Sequence, residues 1–153
     1  MNADTFPKYY STLAVSIYQE GYPSQPKTLG EHVRKRRMEL GLYQGEVAKR
    51  IGVAESSVWN WEHGIEPEIR FIPDIIKFLG YVPFDSPTET IALLSHYKLI
   101  NGLSYERLGK QMGRDPEQLT DWLSGRKKPC RRNIDKIDEF LKKHLKQTCS
   151  QQV

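Results

Sequence analysis

Two groups of side chains in this 153-residue sequence could do recognisable chemistry. The first is Glu55, Ser56 and Asn60, in a short segment whose apolar residues Val58 and Trp61 stand three positions apart. On a helix, that spacing turns the apolar pair inward and leaves the polar side chains accessible. Asparagine and serine can each donate and accept hydrogen bonds, and an ionised glutamate can accept them. The alternative is that all three are ordinary solvent-exposed helix residues.

The second group is a run of basic residues in the second half of the chain. Residues 88–153 contain 13 basic and 8 acidic residues, whereas the net charge of the whole chain is +4. The densest part consists of Arg126, Lys127, Lys128, Arg131 and Arg132. Such a cluster could neutralise several phosphates and would make binding salt-dependent. The alternative is a solvated surface loop, since small basic clusters are common on proteins.

No pattern typical of an enzyme, a metal centre or a membrane span accompanies these groups. The longest uncharged run, residues 9–19, has 11 residues, whereas a bilayer crossing needs about 20 apolar ones. The histidines are scattered, and Cys130 and Cys149 have no metal-ligand spacing. No Gly-rich phosphate loop or nucleophile elbow is present. We therefore expect a non-enzymatic, cytoplasmic protein with reduced thiols and without a metal ion or cofactor.

An internal repeat organises the sequence. Segments 41–64 and 102–125 align at an offset of 61 residues, and six of their 24 positions are identical. Glycine recurs at 52 and 113, and tryptophan at 61 and 122. The apolar positions between them are spaced as the buried faces of two short helices joined by a tight turn. One structural unit is therefore predicted to occur twice.

Capping patterns predict a further helix before each copy. Thr28 opens a capping box with the glutamate three positions later. Ser86, with Pro87 at the first helical position, opens the corresponding helix of the second copy. Apolar stripes after residues 73 and 133 predict a closing helix in each unit.

We expect an all-α protein made of two tandem small helical domains, because no convincing alternating strand lies between residues 27 and 146. Pro83 interrupts the helical pattern near the join. The predicted divisions are an N-terminal arm that is partly ordered or packed on a partner, two helical domains and a disordered tail, over residues 1–26, 27–82, 83–146 and 147–153.

The segments 41–44 and 52–64 resemble the helix-turn-helix family of phage repressors, Cro proteins and Xre-type regulators. The resemblance covers residues 27–80 and extends more weakly to the second copy. It implies a lambda-repressor-like helical bundle in each domain. It also implies that the helix from about Glu55 to Glu62 enters the major groove of DNA. The resemblance also implies that Glu55, Ser56 and Asn60 occupy base-reading positions. There an asparagine can bind an adenine edge with two hydrogen bonds, a glutamate can accept one from cytosine, and a serine is undiscriminating.

The resemblance implies supporting roles around this helix. Gln44 matches a glutamine that anchors a phosphate, and Arg37 and Glu62 match a structural ion pair. Arg70 matches a position near the minor groove, although a plain surface arginine is an equal alternative. Trp59, which the second copy lacks, could stack on a sugar or cover the join between the domains.

The acidic residues depart from the family pattern. The loop after the reading helix contains Glu66 and Glu68, where lysine or arginine often contacts phosphates, so weaker DNA association is expected. In the second copy, the equivalent helix carries three acidic residues and no basic one, and Gln118 is its only attractive base-edge candidate. The basic run 126–132 could clamp phosphates there. The alternative is that the second copy serves dimerisation or docking.

Together, these patterns favour a sequence-specific regulator of transcription, most simply a repressor, whose partner is double-stranded DNA. The alternative is a protein-interaction adaptor or an antitoxin-like module whose DNA binding is incidental. A homodimer stays open as a partner, whereas no membrane association or small-molecule effector is expected.

Overall fold

A computed structural model describes residues 21–149, and over this range the chain forms eight α-helices and no strand. The prediction of an all-α fold is therefore confirmed. Most of the predicted N-terminal arm and the last four residues lie outside the described range. The helices are α1 Leu29–Glu39, α2 Gln44–Ile51, α3 Glu55–Glu62, α4 Ile72–Leu79, α5 Thr90–Ile100, α6 Tyr105–Met112, α7 Pro116–Leu123 and α8 Arg131–Cys149.

The described residues fall into two compact units, which are divided between Pro83 and Phe84. In the first unit α3 packs against α1 and α2, and α4 closes the bundle against the same two helices. A single 3₁₀ turn, Ile69–Phe71, leads directly into α4. The largest contributors to this core are apolar residues from all four helices, namely Val33, Val47, Val58, Trp61, Ile75 and Leu79.

The second unit is built from α5 to α8. Helix α5 packs against α7 and α8, and α6 packs against α7. The Thr90 hydroxyl at the start of α5 donates a 2.8 Å hydrogen bond to the Asp138 carboxylate of α8, which joins the first and last helices of the unit. Its core consists mainly of Leu94, Tyr97, Leu108, Leu119, Trp122, Ile137 and Leu141.

The repeated glycines give both units a similar local backbone at the turn before the third helix of the unit, which is α3 in the first and α7 in the second. Gly52 ends α2 with φ 83°, and Gly113 ends α6 with φ 62°. These are left-handed conformations, which cost a residue with a side chain more than they cost glycine. Each glycine therefore stops one helix and lets the chain reverse into the next.

Helices α1 and α3 approach each other closely at Gly30. A Cβ atom placed on Gly30 would fall on the main-chain carbonyl oxygen of Trp61 near the end of α3. Because backbone atoms cannot yield as the end of a side chain can, the crossing of these two helices requires a residue without a side chain.

Two predicted helix boundaries differ from the structure. Pro87 lies outside any helix, and α5 begins three residues later at Thr90, with Glu89 as its N-cap in an extended conformation. The hydrogen bond from Thr90 to α8 fixes this later start, a tertiary contact that capping patterns do not contain. Helix α8 continues to Cys149, so residues 147–149 are helical rather than part of a tail.

Candidate nucleic-acid interface

The apolar side of α3 is buried and its polar side is accessible. Val58 is 0 % exposed and Trp61 is 5 % exposed, so both anchor the helix in the core. Ser56 is exposed and Asn60 is half-buried. These two polar residues stand four positions apart and therefore share one helical face. Helix α3 thus presents a serine and an asparagine on the face opposite its anchors.

The Glu62 carboxylate connects three helices of the first unit. Arg37 of α1 donates to it from Nε to Oε1 at 2.6 Å and from Nη2 to Oε2 at 2.9 Å. Gln44 of α2 donates from Nε2 to the same Oε2 at 2.9 Å. The Glu62 side chain is 2 % exposed and that of Arg37 is 17 % exposed. A two-point arginine–carboxylate pair fixes orientation as well as charge, so this network holds α3 in register with α1 and α2.

The network gives Gln44 a partner that the sequence pattern does not predict. One N–H of its side-chain amide is directed to Glu62. A phosphate contact by Gln44 must therefore use the second N–H of that amide, or the backbone N–H groups that open α2. Tyr43 supplies no side-chain cap there, and its own N–H donates to the Glu46 carboxylate at 2.8 Å.

Glu55 is exposed, but its carboxylate lies near the first turn of α2. A methyl group added to Gly45 would lie 3.1 Å from Oε2 of Glu55. A negative charge near a helix start interacts favourably with the helix dipole, and it disfavours an approaching phosphate. This position makes Glu55 a weaker base-reading candidate than Ser56 or Asn60.

Trp59 of α3 forms a stacked aromatic pair with His63, the C-cap residue that directly follows the helix. The ring centroids are 3.9 Å apart with an interplanar angle of 20°. His63 Nδ1 lies 2.7 Å from the carbonyl oxygen of Trp59. Trp59 is 49 % exposed, and His63 is exposed as well. His63 is not among the residues predicted for the site, although its spacing of four residues from Trp59 is a signal that indicates such a contact.

Arg70 is engaged in its own loop. Its Nε lies 2.9 Å from Oε2 of Glu68, and both side chains are about two-thirds exposed at 65 % and 67 %. The guanidinium also lies over the Phe71 ring, 4.6 Å from its centroid. Exposed ion pairs are weak and easily exchanged, so Arg70 remains available to a phosphate. When no phosphate is bound, the ion pair partly neutralises the charge of Glu68.

In the second unit, Asp121 binds two members of the basic run. Its carboxylate lies 3.2 Å from Arg126 Nε and 2.7 Å from Lys127 Nζ. The hydrogen bond from Lys127 lowers the pKa of Asp121, and the same bond raises the pKa of Lys127. Asp121 is 7 % exposed, so this acidic residue of α7 acts as an internal counter-ion rather than as a repulsive surface charge.

The other predicted basic residues have open surroundings. Lys128, Arg131 and Arg132 are exposed, and none has a salt bridge within residues 21–149. Gln118 is half-buried on α7, and its backbone N–H donates a 3.3 Å hydrogen bond to the side chain of Asp115, the N-cap of that helix. The structure thus separates the five cations into two that are paired with Asp121 and three that are free within the described chain.

Among residues 21–149, no three His, Cys, Asp or Glu side chains are grouped so that they could hold a metal ion. No helix in that range is long and apolar enough to cross a membrane.

Comparison with known proteins adds one finding. Residues 33–86 match the family model described as Helix-turn-helix, which is of the Cro/C1 and Xre-like type. The matched segment contains α2, α3, α4 and most of α1, and with them the network centred on Glu62. No solved structure matches the chain.

Proposed function

We propose that the protein is a sequence-specific repressor of transcription, starting from the match of residues 33–86 to the helix-turn-helix family of the Cro/C1 and Xre-like type. In this proposal α3 enters the major groove of double-stranded DNA, and Ser56 and Asn60 meet base edges. The main supporting observation is that α3 has an exposed polar face while Glu62, at its end, is held by hydrogen bonds from Arg37 and Gln44.

The base contacts follow from the chemistry of the two side chains. Asn60 can form two hydrogen bonds with the major-groove edge of adenine, whereas Ser56 accepts or donates without strong preference. Gln44 and the start of α2 would contact a phosphate and set the register. Glu55 would contribute least, because its carboxylate lies near the first turn of α2 and would repel a phosphate bound there.

Selection from a random duplex library at near-physiological salt tests the proposal. A recovered motif is the expected result, and Asn60→Ala should lose about 1 to 3 kcal/mol of discrimination at one base pair of that motif. Glu66→Gln, in the exposed loop beyond α3, serves as the control and should keep the motif unchanged. Weak binding to every duplex with a strong salt dependence would instead favour the adaptor or antitoxin-like alternative.

For the second unit we propose contacts to the phosphate backbone, with a second half-site as the alternative arrangement. The free cations Lys128, Arg131 and Arg132 support this role, whereas α7 offers only Gln118 as a base-edge candidate. The double variant Arg131→Gln/Arg132→Gln should bind all sequences less tightly and show a flatter salt dependence. Affinities measured across a salt series check this. An unchanged slope of log affinity against log salt would show that Arg131 and Arg132 do not contact phosphates.

A further inference from the structure

The stacked pair Trp59–His63 is the most unusual feature of the α3 surface. An indole is among the largest apolar groups in proteins, and it is normally buried. Trp61, two residues later, is 5 % exposed, whereas Trp59 is 49 % exposed. The second ring does not cover Trp59 against a core, since His63 is itself exposed. The pair therefore holds an aromatic surface outside the core of the unit.

Two contacts fix the pair in one arrangement. The rings stack at 3.9 Å with an interplanar angle of 20°. His63 Nδ1 must be the donor in its 2.7 Å contact with the Trp59 carbonyl, because a carbonyl oxygen only accepts. The imidazole is thereby oriented by the backbone of α3, the helix that it directly follows. A rigid aromatic surface loses little side-chain entropy when it binds.

The pair lies beside the polar side chains that the proposed function uses. Successive residues of a helix are rotated by about 100°, so Trp59 falls on the half of α3 that also carries Ser56 and Asn60. His63 directly follows α3 and lies on the same side, because its ring stacks on that of Trp59. The opposite half is defined by Val58 and Trp61, which are buried. A duplex that meets Ser56 and Asn60 therefore comes within reach of the aromatic pair.

The major groove offers one apolar group for such a surface to contact. Bases in a duplex are stacked on one another, so their flat faces are not available to an added ring. Their edges carry hydrogen-bonding groups, except for the C5 methyl group of thymine, which side chains contact through apolar surface. A methyl group removed from water by an aromatic ring favours thymine over the other bases.

We infer that the Trp59–His63 pair reads the C5 methyl group of a thymine next to the bases met by Ser56 and Asn60. This inference rests on the proposed function and adds an apolar specificity element to its polar contacts. It assigns Trp59 to the major groove, in place of the sugar contact or domain-join cover expected from the sequence.

Parallel selections with and without the methyl group test the inference. The full chain is selected against random duplexes amplified with dTTP and against the same library amplified with dUTP, which keeps every hydrogen-bonding group and removes only the methyl. We expect one thymine preference in the first motif to disappear from the second, with the other positions unchanged. At that position, replacing thymine by deoxyuridine should weaken binding about three- to tenfold.

Variants assign the effect to the aromatic pair. Trp59→Ala should bind the thymine and deoxyuridine duplexes equally, whereas Asn60→Ala should retain the difference between them. His63→Ala should reduce the difference, because the indole loses the ring that holds it. Both side chains are exposed, so these changes leave the core intact.

The outcomes separate the two levels of the proposal. Identical motifs from the two libraries, or a methyl effect that survives in Trp59→Ala, would overturn the inference and leave the DNA-binding function standing. Failure of the wild-type chain to enrich any motif from the dTTP library would overturn the proposed function, and the inference with it.

Discussion

At the scale of single residues, Glu62 joins three helices of the first unit through its side-chain hydrogen bonds. It is a charged side chain that is 2 % exposed, and its two oxygens receive three hydrogen bonds from Arg37 and Gln44. A buried carboxylate is tolerated when its lone pairs are satisfied in this way. Its removal leaves a guanidinium and an amide without their shared acceptor.

Glu62→Ala should therefore destabilise the protein strongly. Loss of one partner of a buried charge pair typically costs 3 to 5 kcal/mol. Because Arg37 keeps 17 % exposure and can recruit water, we expect a loss of about 3 kcal/mol. Urea unfolding of the full chain measures it, with Glu66→Ala in the exposed loop as the control. If the two variants are equally stable, the network does not hold the helices together.

Residue type and spacing predict the buried side of α3 well but not its side-chain contacts. The burial of Val58 and Trp61 follows from helical periodicity, because a helix that packs on a core must place apolar residues on one face. The shared hydrogen bond of Gln44 with Glu62 joins residues 18 positions apart, and residue types alone do not reveal it. The same holds for the salt bridge between Asp121 and Lys127, which residue types alone do not reveal either.

At the scale of helices, the crossing of α1 and α3 depends on the missing side chain of Gly30. The methyl group of Gly30→Ala would fall on the carbonyl oxygen of Trp61, so the two helices must separate. Overpacking of this kind costs about 1 to 3 kcal/mol, and it acts on the helix proposed to read DNA. We expect lower stability and weaker DNA binding together.

Gly45 provides the matched control for this change. It also lies within a helix, but a methyl group there would be 3.1 Å from the Glu55 carboxylate, a flexible group that can move aside. Alanine is a better helix former than glycine, so Gly45→Ala should be as stable as the wild type or slightly more stable. Thermal unfolding compares the two variants, and equal destabilisation of both would contradict the close-approach explanation.

Helix positions are more predictable than helix starts, for a physical reason. The periodic apolar residues of α2, α3, α6 and α7 define where a helix must lie to bury them. A start also depends on which tertiary contact captures the first turn. Pro87 is compatible with a helix start, but the Thr90 contact with Asp138 sets the beginning of α5 three residues later.

At the scale of the whole molecule, Asp121 limits how much of the positive charge acts on the surroundings. Two of the five cations in the basic run are held at its carboxylate. The pKa of Asp121 in the folded chain is lowered, so the contact is present at neutral pH and is lost as pH falls through that lowered pKa.

Asp121→Asn should release both cations for phosphate contacts. We expect tighter binding to duplexes of any sequence and a salt dependence that steepens by up to about two phosphate contacts. Fluorescence anisotropy across a salt series measures the slope. Asp135→Asn changes the net charge equally but breaks no salt bridge within the described residues, so it controls for charge alone. Equal slopes in both variants would show that Asp121 does not restrain the basic run.

The three-helix junction at Glu62 also bears on how this surface could be retuned. Because Glu62 joins α3 to α1 and α2 through hydrogen bonds, we expect the three helices to keep their arrangement when the proposed DNA target binds. The entropy cost of binding then falls on exposed side chains and on the DNA. Exchanging the outward residues of α3 should then redirect target choice without rebuilding the bundle, which makes the first unit a suitable frame for altered specificity.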